Sequence, residues 1–374
     1  MHTPQKTDKP RKPVVGITHG DLNGISYEII IKALKDNRLF EMFTPVIYGL
    51  SKVLSYHRKN LNFFDFNYKV VRDARQIMNN KVNIVNISND EVRIEYGKTT
   101  EVAGRLAYEA LELAVNDLKE NKIDVVVTAP INKSGIHSES FNFPGHTEYF
   151  TNRFNCEESL MLMVHENLKI GIVTSHIPLK EVIPAISQEL ITRKIKILND
   201  SLIRDFGINR PKIAVLGINP HAGDNGLIGD EDEHIVSAAV ISTKKSGMLV
   251  YGPFSADGFF GTDEYSRYDA ILAMYHDQGL IPFKILAFDK GVNFTAGLPI
   301  VRTSPDHGTA YEIAGKNMAS SDSLRRAIYL AVDILKNRRM FDEMTKDPLP
   351  SGLINEFGNG KNNKKDEELN EVED

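Results

Sequence analysis

A single cysteine, Cys156, is all that 374 residues contain, so no internal disulfide framework can form and a reducing, cytoplasmic setting is expected. No apolar run approaches the roughly 18–20 residues that would cross a bilayer. The segment from Met1 to Lys12 is polar and basic, and no signal-type stretch of apolar and small residues follows it. A basic stripe interleaved with aromatics is missing, and the formal net charge of −5 argues against a nucleic-acid partner. Nucleotide fingerprints are missing too: Gly16, Gly20 and Gly24 do not fit G-x-G-x-x-G, and no Walker Gly-Lys-Ser/Thr occurs. No internal repeat is evident. What is left is a globular chain of ordinary composition, 41% apolar and 25% charged, long enough for two domains or one core with an inserted lobe.

Both ends read as solvated tails. Residues 1–12 are rich in Lys, Pro and Thr, and residues 355–374 close on a mixed, then acidic run. Neither can bury enough apolar surface to offset its ordering entropy. Between them, short β-rich runs alternate with helical patterns. Strands are expected at Val14–Ile17, Pro45–Tyr48, Tyr68–Val71, Val82–Ile87 and Ile123–Val127, with helices over Gly24–Lys35 and Glu101–Leu118. Leu160–Val164 and Ile170–Thr174 have the pattern of a β-hairpin. Further helices are expected over Ser187–Asp205, about Asp230–Lys245 and about Ser323–Lys336, with a strand at Ile213–Leu216. The alternation implies an α/β chain with a largely parallel, doubly wound sheet. The mid-chain hairpin implies a second lobe inserted into the first, with lobe 1 as residues 13–135 and 285–345 and lobe 2 as 136–284.

Three histidines each follow an apolar run and open a polar turn marked by Gly or Pro: His176 after Ile170–Val173, His221 after Ile213–Leu216, and His276 after Ala270–Tyr275. In an open α/β sheet, ligands collect beyond the carboxyl ends of strands. Three neutral imidazoles at such an edge would hold one divalent ion (Zn, Co, Mn or Mg) and leave positions open for substrate. Their wide separations match no local zinc motif, so the fold itself would have to assemble the site. Singly, each is as readily a hydrogen-bonded structural histidine. Asp277, next to His276, can contact the metal or orient an imidazole.

Other residues suit an anion. In Pro144-Gly145-His146-Thr147-Glu148, the Gly lets backbone approach a ligand, and Thr147 can N-cap a helix over Glu148–Phe154. His146 and Thr147 can then both donate to an anionic group. Arg302 closes the apolar run Leu298–Val301, where a cation is expensive to bury without an anionic partner. A phosphate or carboxylate would supply one, and Arg suits bidentate contact. Lys284 falls in the same region, although a surface Lys and Arg are the commoner case. Asn293 is polar within another apolar strand and can face the same cleft. The loop Asp306-His307-Gly308-Thr309-Ala310, rich in small residues, can seat an adenosine or simply start a helix.

Taken in order, these segments resemble one family. Gly16-Ile17-Thr18-His19-Gly20-Asp21, Thr128-Ala129-Pro130-Ile131-Asn132-Lys133, Pro144 to Phe150, Asn219-Pro220-His221-Ala222-Gly223, Met274 to Gly279, Gly291-Val292-Asn293 and Arg302 to Ala310 look like signatures of the 4-hydroxythreonine-4-phosphate dehydrogenases of pyridoxine 5′-phosphate synthesis. The resemblance runs from about Val14 to Asn337. It implies an isocitrate/isopropylmalate-dehydrogenase-like fold of two α/β lobes around a central cleft, working as a homodimer. It implies that His176, His221 and His276 bind the metal, one of them across the dimer interface. His146, Thr147, Lys284, Asn293 and Arg302 would hold the substrate, and His307, Gly308, Thr309 and Ala310 would line NAD, or NADP in its place. Lobe 1 would then be the cofactor side, and lobe 2 the metal and dimer side. The implied reaction oxidises 4-phosphooxy-L-threonine to a 2-amino-3-oxo acid phosphate, which decarboxylates to 3-amino-2-oxopropyl phosphate. Asp257, Asp277 and a metal-bound water are the candidates for a catalytic base.

Besides the acidic tail beyond Asn355, which has no counterpart in the family pattern, the chain departs from that pattern in two places. The first turn reads Asp21-Leu22-Asn23-Gly24-Ile25-Ser26-Tyr27-Glu28 where the family usually has Asp-Pro-Ala-Gly-Ile-Gly-Pro-Glu, and the residues after Asp257 differ as well. Both segments are expected to border the cleft, which leaves a related dehydrogenase of threonate or erythronate 4-phosphate as an alternative. From another class, a phosphate acyltransferase of the same superfold or a non-catalytic phosphometabolite binder is the competing reading.

Overall fold

The computed structural model describes residues 11–137 and 141–347. Residues 1–10 of the first expected tail and all of 355–374 lie outside the described residues. The inner end of the first tail is corrected. Lys12 donates from Nζ to Phe40 O at 3.1 Å and to Asn80 Oδ1 at 2.6 Å, so the fold already holds it.

The chain opens with β1 (Val14–Thr18), α1 (Ser26–Leu34), β2 (Thr44–Gly49), α2 (Ser51–Asn60), β3 (Tyr68–Val71), β4 (Val82–Asn86), α3 (Glu101–Lys119) and β5 (Val125–Thr128). Two short helices, α4 (Lys133–Ile136) and α5 (His146–Arg153), lead to the hairpin β6 (Leu160–His165) and β7 (Leu168–Thr174). Next come α6 (Leu179–Ala185), α7 (Gln188–Arg204) and β8 (Lys212–Leu216). A π-helical turn at Asp232–Ser237 runs into α8 (Ala238–Lys245), followed by β9 (Leu249–Phe254), α9 (Ala256–Gly261) and β10 (Ala270–Tyr275). The chain returns through α10 (His276–Ala287), β11 (Val292–Ala296) and β12 (Arg302–Pro305) and finishes in α11 (Asp322–Met344). Several of these were not anticipated. Pro282 inside α10 and Gly252-Pro253 inside β9 punctuate patterns that would otherwise read as regular. Arg302 opens a strand instead of closing the preceding run.

All twelve strands join one sheet in the order β3-β4-β2-β1-β5-β12-β11-β6-β7-β10-β8-β9. The first six of that order pair in parallel. The last four, β7-β10-β8-β9, are again parallel. Antiparallel pairings β12–β11, β11–β6 and β6–β7 join the two blocks. Strands β6 to β10 are thus inserted between β5 and β11, which gives two α/β lobes with a central cleft.

Packing explains how the blocks stay together. Along β5, Val125 and Val127 face one apolar cluster and Val126 the other, the alternation expected of a strand buried on both faces. In the second block, Leu272 and Met274 of β10 join that same first cluster, while Ile271 and Ala273 face a third. One face of the sheet is therefore a single core across both lobes. The opposite face is divided in two. Near that division α3 meets α4 at Gly104, where an added Cβ would lie 1.7 Å from Gly135 O, so only glycine lets the two helices come this close.

A pair of buried histidines within lobe 1 makes stability depend on pH. His19 and His57 stack on either side of Tyr27 at 5.3 and 5.4 Å, and neither His19 Nδ1 nor His57 Nε2 has a hydrogen-bond partner. Burial lowers both to a pKa of about 4, so the folded rings stay neutral where the unfolded chain protonates. Their stabilisation is present above about pH 6.5 and lost as pH falls toward 4, on the order of 3 kcal/mol each. The melting midpoint should drop across that window, and His57→Phe, which keeps a ring but removes the proton site, should flatten the drop. An unchanged slope in the variant would exclude His57 from the effect.

Candidate active site

The division in the core is filled by a polar cavity of about 260 Å³. Its wall brings together most of the residues singled out from the sequence: His146, Thr147, His176, His276, Lys284, Asn293, Arg302, His307 and Gly308. They arrive from five separate stretches of chain, at the start of α5, beyond β7, along α10, within β11 and in β12 with the loop after it.

Arg302 defines the cavity's character. It is 2% exposed, and among the described residues its guanidinium meets only hydroxyls and a ring. Nη2 and Nε donate to Thr128 Oγ1 at 2.7 and 3.2 Å, Nη1 donates to Thr295 Oγ1 at 3.2 Å, and Phe150 lies 5.9 Å away. Burial draws its pKa down to about 9, with the charge of Glu148 acting in the other direction. A buried cation with no carboxylate in contact is uncompensated by several kcal/mol until an anion arrives. The surrounding polar atoms are equally unfinished. His146 Nε2, Asn293 Oδ1, Glu148 Oε2 and His307 Nε2 are buried without partners, at roughly 1–3 kcal/mol for each unsatisfied group. Burial, reinforced by the charges of Arg302 and Lys133, keeps His146 neutral and well below its ordinary pKa. Such a constellation suits a ligand carrying anionic oxygens and hydrogen-bonding groups.

Two of the three expected metal histidines are paired. The rings of His176 and His276 stand 6.1 Å apart, as parallel pairing of β7 with β10 requires. The Nδ1 of His176 meets Glu148 Oε1 at 3.0 Å, and the Nδ1 of His276 meets Asp277 Oδ1 at 2.7 Å. A carboxylate on Nδ1 fixes the ring and leaves Nε2 as the ligand atom, the support that metal-binding imidazoles commonly have. Burial would raise the Glu148 carboxyl, but its hydrogen bond with His176 and the nearby cations hold it below the usual range. His221 is not with them. It lies on an exposed loop beyond β8, one strand further along the sheet edge, and no group of three metal-type side chains forms among the described residues.

Other expectations are corrected in detail. The helix at Thr147 begins one residue earlier, at His146, with Gly145 as its N-cap, so Thr147 does not cap it. Asp257 is exposed at the start of α9, close enough to His221 to feel its charge, and is not in the cavity. Asp277 is also exposed and acts on His276 rather than on the cavity. Ala310 lines a neighbouring groove of about 670 Å³ with Phe288, Glu312, His307 and Gly308, whereas Thr309 packs its carbonyl against Gly24 and Ile25. The unusual turn Leu22–Tyr27 does not border the cavity. Its residues are buried, and Asn23 ties down the 95–100 loop through Glu95 N, Lys98 O and Thr100 Oγ1. That departure is structural.

Four residues of this region escaped notice: Thr128, Lys133, Glu148 and Asp306. All sat inside recognised segments, but no pattern marked them, since their roles depend on what the fold places opposite. Asp306 borders both cavity and groove, and burial pushes its carboxyl up to about 6 against the pull of Lys284 and His276.

Fold and cavity together define a two-lobed α/β protein whose cavity between the lobes suits an anionic small molecule. The family model described as pyridoxal phosphate biosynthetic protein PdxA matches residues 41–331. A 4-hydroxythreonine-4-phosphate dehydrogenase of Bacteroides thetaiotaomicron is 49% identical over 336 residues, 90% of this chain and 92% of the relative. A provisionally named D-threonate 4-phosphate dehydrogenase of Oceanobacillus iheyensis is 38% identical, covering 87% of this chain and 98% of the relative. The crystal structure of the Klebsiella pneumoniae 4-hydroxythreonine-4-phosphate dehydrogenase superposes with a TM-score of 0.75 at 35% identity, over 87% of this chain and 98% of that one. The chain belongs to the PdxA family of 4-hydroxythreonine-4-phosphate dehydrogenases and is an oxidoreductase.

Arg302→Met gives a direct test of the anion site. Without phosphate, the variant should melt no lower than the parent, because an uncompensated buried charge is removed. Inorganic phosphate should raise the melting midpoint of the parent by several degrees and leave the variant unmoved. Equal protection of both proteins would place the anion elsewhere.

Proposed function

We propose that this enzyme oxidises 4-phosphooxy-L-threonine with NAD, or NADP in its place, and that the 2-amino-3-oxo acid phosphate formed loses CO₂ to give 3-amino-2-oxopropyl phosphate. The observation that carries this reading is Arg302, buried without an anion beside a carboxylate-supported histidine pair. The substrate's phosphate would meet Arg302, His146 and Thr147, with Lys133 on the same side of the cavity. Lys284 and Asn293 would hold the amino acid end, so binding energy remote from the reacting carbon orients it. His307 and Gly308, shared by cavity and groove, sit where a dinucleotide would meet the substrate.

The donor set fits a divalent ion, because His176 and His276 each keep Nε2 free while a carboxylate holds Nδ1. Zn, Co, Mn or Mg bound there would supply Lewis-acid polarisation of the substrate's 3-hydroxyl. A third imidazole is needed, and His221 of a second copy is the proposed source. Exposed Leu227 near His221 and exposed Leu179 near His176, 80% and 72% accessible, suit a surface that a homodimer would cover. Asp257, beside His221, would then enter the same shared site as the candidate base. A cytoplasmic enzyme fits this chemistry, and among the described residues no helix is long and apolar enough to cross a membrane.

The relative named for D-threonate 4-phosphate supports a second reading, in which a hydroxyl replaces the substrate's amino group. Initial rates on 4-phosphooxy-L-threonine, threonate 4-phosphate and erythronate 4-phosphate decide between them. The first should be turned over at least about tenfold faster, since one well-made polar contact is worth that much. A faster sugar-acid phosphate would overturn the main reading.

Sharing of the metal has its own test. H221A and H176A should each be inactive, yet mixing them should restore activity, because every heterodimer would regain one intact site. No recovery on mixing would mean that His221 does not act across the interface. Chelation should abolish activity, and added divalent metal should return it.

A further inference from the structure

The loop that carries His221 is held in a conformation that L-residues avoid. Six residues in succession have positive φ: His221 at 55°, Ala222 at 50°, Gly223 at 84°, Asp224 at 43°, Asn225 at 55° and Gly226 at 85°. Only two of them are glycine. A run of this kind persists only where the surroundings over-determine it.

At the root of that loop lies Asp232, which is 2% exposed. Its Oδ1 accepts from Ile218 N at 2.7 Å and its Oδ2 from Asn219 N at 3.0 Å, so one carboxylate grips two consecutive amides at the root of the loop. Its neighbour Glu231 accepts from Asn219 Nδ2 at 2.8 Å. The fit is close: a Cβ on Gly217 would lie 2.8 Å from Asp232 Oδ1, and one on Gly229 would lie 2.5 Å from Glu231 Oε2. Asp232 is also the first residue of the π-helical turn, an irregularity found mostly at functional sites. On the other side, Gln278 of α10 accepts from Met274 N at 2.7 Å and donates to Gly217 O at 2.6 Å, linking the root of this loop to the turn that presents His276.

No fold-wide need explains this arrangement. Apart from Ala222 and the buried Gly223 the loop beyond the clamp is exposed, and a strand-to-helix connection is made elsewhere in this sheet without such backbone, as at Tyr275–His276. We propose that Asp232, supported by Glu231, is the positioning residue that holds the His221 loop in its left-handed form so that His221 is presented as a metal ligand to a second copy of the chain. The inference rests on the reading of His221 as a ligand. Asp232 itself touches neither metal nor substrate. It acts by fixing backbone, and an asparagine there could accept only one of the two amide bonds through its carbonyl, its NH₂ opposing the other.

Visible absorption of Co²⁺ titrated into the full-length, metal-free protein reads the effect without turnover. The parent should bind Co²⁺ at least about tenfold more tightly than H221A; equal binding by the two, or none by either, would remove the reading of His221 as a ligand. Given that difference, D232N should bind Co²⁺ about tenfold to a hundredfold more weakly than the parent. The amides of Ile218 and Asn219 should also exchange faster with solvent in the metal-free variant. A D232N protein that melts lower but binds Co²⁺ like the parent has lost only structure, and that result overturns the proposal. Should D232N not fold, E231A makes the milder cut in the same clamp by removing the acceptor of Asn219 Nδ2: a loss of a few fold in Co²⁺ affinity supports the proposal, and parent-like binding overturns it.

Discussion

One sheet face carries an unbroken apolar core from lobe to lobe, and the rest of the molecule is arranged around that continuity. Val125 and Val127 in the first block and Leu272 and Met274 in the second bury against the same cluster. At roughly 25 cal/mol per Å² of apolar surface removed from water, such a face holds the blocks in fixed relation. The opposite face can then be left open between its two clusters without the lobes coming apart. That opening gathers several costly groups: a guanidinium without an anion, and imidazole, amide and carboxylate atoms without partners.

The cavity is electrically divided. Around Arg302 lie Lys133 and a neutral His146, with hydroxyls rather than carboxylates in contact with the guanidinium. Around His176 and His276 lie carboxylates, Glu148 and Asp277, that are already engaged with the rings. The first region suits a doubly charged oxyanion, and the second suits a cation. A small molecule with a phosphate at one end and a hydroxyl near the other spans both.

Much of the architecture was legible in advance because it rests on local pattern. The apolar runs of β1, β5, β8 and β10 stand out since both faces of a parallel strand are buried. The amphipathic period of α3 and α7 is equally plain. Ser187 marks the start of α7 and does cap it, accepting from Leu190 N. Thr147 looked like a cap on the same grounds and is not, because the helix already starts at His146 and Gly145 takes the capping position. α10 was hidden by Pro282, although a proline there is tolerated where neighbouring structure supports the turn.

Residue order alone determined the α/β class, the inserted hairpin, and the set of side chains with chemistry suited to metal, phosphate and nucleotide. Those are properties of short windows: periodicity, turn residues, a cation in an apolar run. It could not determine which of those side chains meet. His176 and His276 face one another because β7 and β10 pair in parallel register, whereas His221 stands apart because β8 is the next strand out. Glu148 supports His176, and Thr128 holds Arg302, across separations of 28 and 174 residues. Contacts of that range depend on strand order and on how the two lobes close over the gap in the core, and no local pattern encodes either.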